Sequence, residues 1–120
     1  MTTTTTTKPK PAPTVEELTI AFRAAKAAAL EAATNPEDDG TCNLDTAVLR
    51  LSHRYKKRVE EAASAAGVEA RPTHWIGACY FVIVPRILYG QANRRTRIAV
   101  AAGNALKAAG LEACVYYQMD

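Results

Sequence analysis

Between residues 14 and 34 apolar side chains recur every three or four positions. Val15, Leu18, Phe22, Ala25, Ala29 and Ala33 form one stripe, flanked by Ile20, Ala21 and Leu30. The spacing predicts an α-helix of about five turns. Thr14 and Glu17 frame its start as a capping box, the hydroxyl of one and the carboxylate of the other each taking an N–H that the first turn leaves unpaired. The middle of the helix is almost all alanine, so it buries little area per turn and allows a close neighbour. Such a helix packs on its own domain or lies across a second subunit, because the connector Asn35-Pro36-Glu37-Asp38-Asp39-Gly40 sets it apart from the remainder of the chain.

From Thr41 onward the periodicity alternates between two and three to four. Cys42 to Leu51 alternates apolar positions at Cys42, Leu44 and Val48 and predicts a strand. Ser52 is placed to cap a helix running to Ala66 and stopping at Gly67, with Tyr55, Val59, Ala62, Ala63 and Ala66 facing inward. Val68–Trp75 and Ala78–Val84 predict a hairpin around Gly77, and Pro85 ends its apolar second arm. After a loop at 86–91, Asn93 is the expected N-cap of a third core helix. Ile98, Ala101, Ala102, Ala105, Leu106 and Ala109 mark its inner face and Gly110 its stop. A last strand spans 113–118. The order strand, helix, strand, strand, helix, strand predicts an α+β fold of the ferredoxin-like βαββαβ type, an antiparallel sheet covered on one face, preceded by a separate N-terminal helix. The expected organisation is a tail over 1–13, a helix over 14–34 and an α/β core over 41–120. The tail opens with six threonines and continues Lys-Pro-Lys-Pro-Ala-Pro, a composition with nothing to bury, and is expected to be disordered or extended.

In such a sheet one face stays available to a ligand or a second subunit. Tyr80, Phe81, Tyr116 and Tyr117 are expected on the two central strands, where neighbours alternate sides, so some of these rings must reach that face.

Composition changes this picture in three respects. The chain has 120 residues, 48% of them hydrophobic, enough for one small domain with a modest core. There is no run of eighteen apolar residues and no charged-then-apolar start, so no membrane span or secretory signal is expected and a cytoplasmic location is. The three cysteines, Cys42, Cys79 and Cys114, are far apart in strand-like surroundings, which reads as reduced thiols without a disulfide framework or metal site.

Charge is uneven although the net value is only +3. No acid occurs between Glu69 and Glu112, an interval that holds Arg71, Arg86, Arg94, Arg95, Arg97 and Lys107. The segment Gly90-Gln91-Ala92-Asn93-Arg94-Arg95-Thr96-Arg97 places three arginines where a helix already carries partial positive charge. An anion relieves that conflict, and phosphate suits amides and guanidinium forks best. The expected ligand site is therefore Gly90, Gln91, Asn93, Arg94, Arg95, Thr96 and Arg97, with Tyr80, Phe81 or Tyr89 stacking on a base.

Catalysis is hard to assemble. His53 and His74 stand far from any Cys or Asp at useful spacing, Asp38 and Asp39 read as turn formers, and no nucleophile has a recognisable base. No catalytic residue, cofactor or metal is expected. An alternative to a small-ligand pocket is a single-stranded RNA-binding module on the open sheet face. Gly77-Ala78-Cys79-Tyr80-Phe81-Val82 partly matches the third-strand pattern of such modules, although Ile76 stands where they carry a base.

The leading helix, the Asn-Pro-Glu-Asp-Asp-Gly-Thr-Cys-Asn connector, the compact core and the Gly-Gln-Ala-Asn-Arg-Arg-Thr turn together resemble the first family of Thoeris anti-defence proteins over residues 15–120. These are phage sponges for cyclic ADP-ribose-type immune signals, and some members also hold cyclic di- or trinucleotides at a separate site. The resemblance implies a non-enzymatic sponge in the host cytoplasm and a homo-oligomer clasped by the leading helix. It implies nucleotide pockets at subunit boundaries, with Phe81 and Asn93 as the ligand's aromatic and amide neighbours and Arg23 and Arg58 as phosphate contacts of a second site. Members use arginines late in the chain; here none follows Arg97, which leaves Arg94, Arg95 and Arg97 to serve.

Overall fold

A computed structural model describes residues 12–33, 46–75, 77–84 and 92–116, with the stretch 92–96 given as backbone. It is an α+β fold whose elements run α1 (Val15–Ala33), β1 (Thr46–Arg50), a 3-10 turn (His53–Tyr55), α2 (Lys56–Ala66), β2 (Glu69–His74), β3 (Ala78–Ile83), α3 (Ala92–Ala108) and β4 (Ala113–Tyr116). The four strands form one antiparallel sheet in the order β2-β3-β1-β4, the split βαβ arrangement expected of a ferredoxin-like fold.

Local chemistry sets the element ends. The capping box forms as the sequence requires: the Glu17 amide donates to the Thr14 hydroxyl at 3.1 Å and the Thr14 amide to the Glu17 carboxylate at 2.9 Å. Ser52 accepts from the Arg54 amide at 3.2 Å, but what it caps is the short 3-10 turn, and α2 begins only at Lys56. Gly67 ends α2 with φ 77°, a left-handed conformation that costs a side chain dearly. Gly77 turns the β2–β3 hairpin with φ 99°. α3 begins at Ala92, so Asn93 lies inside its first turn and is not the N-cap that the sequence suggested. The predicted loop at 86–91, residues 42–45 of the first predicted strand and Tyr117 lie outside the described residues.

The helical layer is unusual for so narrow a sheet. α1 packs on both α3 and α2, which make little contact with each other, so the leading helix fills the gap between the two core helices. Leu18, Ala21, Phe22, Ala25 and Ala29 of α1 are fully buried in the same cluster as Val59 and Ala62 of α2, Ile98, Ala102 and Leu106 of α3, and Leu49, Tyr80 and Val82 of the sheet. Alanine is what makes the fit possible: small side chains let helix axes approach to the short end of the usual 8–10 Å range. Two cationic contacts fix the direction of α1 against α2. The Arg58 guanidinium donates to the Pro13 carbonyl at 3.2 Å, and the Lys26 ammonium lies over Gly67 at the C-terminal end of α2, where cations are favoured. On the far side, a Cβ at Gly103 of α3 would stand 3.2 Å from Val115 of β4, so the helix rides close to the strand.

Phe22 is the largest buried side chain of this wedge, so Phe22→Ala should cost about 3–5 kcal/mol in urea unfolding. Ile20→Ala, on the exposed face of the same helix, should stay within about 0.5 kcal/mol. Equal effects of the two would mean that α1 does not belong to the core.

Candidate nucleotide-binding face

The strand register divides the sheet into two chemically different faces. Ala47, Leu49, Tyr80, Val82, Ala70 and Ala113 point to the helices. Strand alternation then places Val48, Phe81, Arg71 and Cys114 in one row on the opposite face, with Phe81 opposite Val48 on β1 and Arg71 on β2. The central strands are β1 and β3, and β4 is an edge. Of the aromatics expected on the central strands, Phe81 and Tyr116 reach the open face and Tyr80 does not.

Trp75 joins them. It shares the parity of Arg71 and Thr73, and its ring meets that of Tyr116 at 4.8 Å and nearly perpendicular, while Phe81 meets Tyr116 at 5.5 Å. Since Trp75 follows β2 at one edge and Tyr116 belongs to β4 at the other, the two rings meet above the central strands. Val48 of that face is completely buried, yet all three rings keep part of their surface in solvent. The face is thus an aromatic floor, partly roofed by its own rings. Arg71 stands at its edge in an exposed ion pair with Glu69 at 3.1 Å, of the kind that contributes little and yields readily to a stronger anion. Arg50 shares the face at the end of β1 and extends to the hairpin, its guanidinium 3.9 Å from where a Cβ of Gly77 would stand. Aromatic surface bordered by guanidinium groups is suited to a planar base attached to phosphate.

Within one chain, Phe81 and the α3 residues chosen from sequence lie on opposite sides of the sheet. Phe81 faces away from the helices, whereas α3 packs on the other side of the sheet through Ile98, Ala102 and Leu106. The sheet therefore stands between Phe81 and the α3 helix. Arg97 is half-buried on α3; Asn93, Arg94, Arg95 and Thr96 occupy its first turns; Gly90, Gln91 and Tyr89 lie outside the described residues. Arg23 and Arg58, proposed as a pair, are both exposed. Arg58 is engaged at Pro13 and lies over the Tyr55 ring at 5.0 Å, whereas Arg23 sits ten residues beyond Pro13, roughly 15 Å along the helix axis.

A second concave feature, a groove of about 490 Å³, runs past Pro13, Thr14, Leu49, Arg50, Gly110 and Glu112. The side chains of Thr14 and Glu17 beside it are already committed to capping α1, so it presents no ready anion contact from that helix end. Compared with known proteins, the chain matches no family model, no curated sequence and no solved structure.

Sequence reasoning overlooked Trp75 and Arg50 and counted Arg71 only among the bases of the acid-free interval. The signal was present: once a hairpin around Gly77 is accepted, residue parity puts Trp75 and Arg71 on the Phe81 face. Tyr80, one of the three rings offered for stacking, turns the other way by the same parity. Its ring is fully buried and its hydroxyl donates to the Ser52 carbonyl at 3.3 Å. Burial, and then the negative charge of Glu60, push its ionisation above the ordinary 10.0. The fold therefore holds the proton more tightly than the unfolded chain does. Tyr80 adds to stability fully below pH 10.0, and that part is lost as pH rises from there through the folded-state value. In an alkaline absorbance titration Tyr80 should ionise above the ordinary 10.0, and Tyr80→Phe should flatten the decline of stability above pH 10.0.

Proposed function

We propose that the protein is a non-catalytic binder of a nucleotide, which stacks its base on the Trp75–Phe81–Tyr116 face and directs its phosphate to Arg71 and Arg50. The observation that carries the reading is the meeting of the Trp75 and Tyr116 rings across the central strands beside Phe81, with guanidinium groups at the border. Stacking on an aromatic ring supplies roughly 1–3 kcal/mol per base, and a guanidinium adds charge-assisted contacts to phosphate. Retention needs slow release and no turnover, so such a protein acts by mass action, lowering the free concentration of its ligand. The resemblance to the Thoeris anti-defence sponges gives that ligand a class: a cyclic nucleotide immune signal, either a cyclic ADP-ribose isomer or a cyclic di- or trinucleotide, withheld from a bacterial host's antiphage defence. In that reading the protein works as a homo-oligomer in the host cytoplasm, and Asn93, Arg94, Arg95 and Arg97 at the start of α3 are a further electropositive element.

Calorimetry separates this from the single-stranded RNA reading. A cyclic ADP-ribose isomer or cyclic dinucleotide should bind with fixed stoichiometry and a shallow salt slope, whereas an RNA binder would gain affinity with oligonucleotide length and lose it steeply with salt. Trp75→Ala should weaken nucleotide binding roughly 5- to 150-fold, the equivalent of one stacked ring. If Arg95→Ala or Asn93→Ala removes binding and Trp75→Ala does not, the ligand sits at the start of α3 and the sheet-face site is wrong.

A further inference from the structure

The β2–β3 hairpin and the 3-10 turn bring together two histidines that are far apart in sequence. The His53 and His74 ring centroids lie 4.9 Å apart with their planes inclined by 66°. His53 is half-buried, its ring packed edge-on at 5.2 Å against Tyr80, while His74 at the end of the edge strand β2 is exposed. We propose that this pair is a binding site for a divalent transition ion such as Zn²⁺.

Two independent observations support it. The first is the separation. A metal–imidazole bond of about 2.0–2.1 Å puts the ion roughly 3.2 Å from each ring centroid, so two imidazoles sharing one tetrahedral ion have centroids about 5.2 Å apart. The observed 4.9 Å is close to that separation. The second is the support behind His53, whose Nε2 lies 3.0 Å from the Cys79 carbonyl oxygen. A carbonyl accepts and cannot donate, so Nε2 carries a proton, and in the neutral ring the lone pair is on Nδ1. Metal-binding histidines are commonly held in this way, one nitrogen donating to a carbonyl while the other faces the ion. The carbonyl belongs to the central strand β3, so the ligand is tied to the middle of the sheet, and His74 beside it is exposed to solvent.

Among the described residues no third His, Cys, Asp or Glu joins the pair. With two described ligands the site is open, unlike a closed structural zinc site of four. Imidazole donors suit Zn²⁺, Ni²⁺ and Cu²⁺ over Mg²⁺ and Ca²⁺, which require oxygen.

The test uses the full-length chain without a histidine tag. Titration calorimetry with ZnCl₂ should show one ion per chain and MgCl₂ none, and His74→Gln, an exposed position that should fold normally, should weaken Zn²⁺ binding by at least about tenfold. Because His53→Ala also removes the Cys79 contact, His53 is followed in the wild-type protein by ring-nitrogen NMR, where Zn²⁺ should shift Nδ1 and leave Nε2 protonated. Zn²⁺ affinity unchanged by His74→Gln, or lost instead on Cys114→Ser, would overturn the proposal, as would the absence of any Zn²⁺ heat.

Discussion

The structure depends on the close packing of alanine faces. A four-stranded sheet ordinarily supports two helices in this topology, and here a third, α1, is inserted between them. Only side chains as small as Ala21, Ala25 and Ala29 on one helix and Ala62, Ala63 and Ala66 on another allow that insertion without driving the layers apart. Each alanine buries little apolar area, so the stabilisation is concentrated in the few large residues the arrangement surrounds: Phe22, Leu18, Leu106, Ile98 and Tyr80. The helix that an acidic connector sets apart in sequence is therefore the keystone of the layer, fully buried along one face.

This packing has a functional consequence. With three helices covering one side, the sheet presents chemistry only where its other face and its edges reach solvent. There the strand alternation that sends Tyr80 and Val82 inward sends Phe81 outward, and the hairpin swings Trp75 across to Tyr116. The same hairpin brings His74 to His53 on the helix side of its turn. One turn at Gly77 thus organises both the aromatic floor and the histidine pair.

Much of this was legible in the chain. The capping box at Thr14 and Glu17, the stop at Gly67, the hairpin and the order of the elements follow from local rules, because caps and turns are decided by neighbours a few residues away. The site was less legible. Phe81 and the arginine run were expected at one ligand, but within one chain Phe81 and α3 are divided by the sheet, and that separation depends on strand register, which no local pattern reveals. Tyr80 and Phe81, adjacent in sequence, have opposite roles for the same reason. His53 and His74 looked isolated because their meeting is made by tertiary contact alone, and Asn93 looked like a cap because a helix start is uncertain by a residue or two.

The account is tested most directly by native-state hydrogen exchange on α1. If the leading helix is the wedge that closes the layer, the amides of Phe22, Ala25 and Ala29 should open only with the same free energy as those of Leu49 and Tyr80 in the central strands. Exchange from α1 at a free energy several kcal/mol lower, with β1 and β3 still protected, would show a detachable helix and contradict the account.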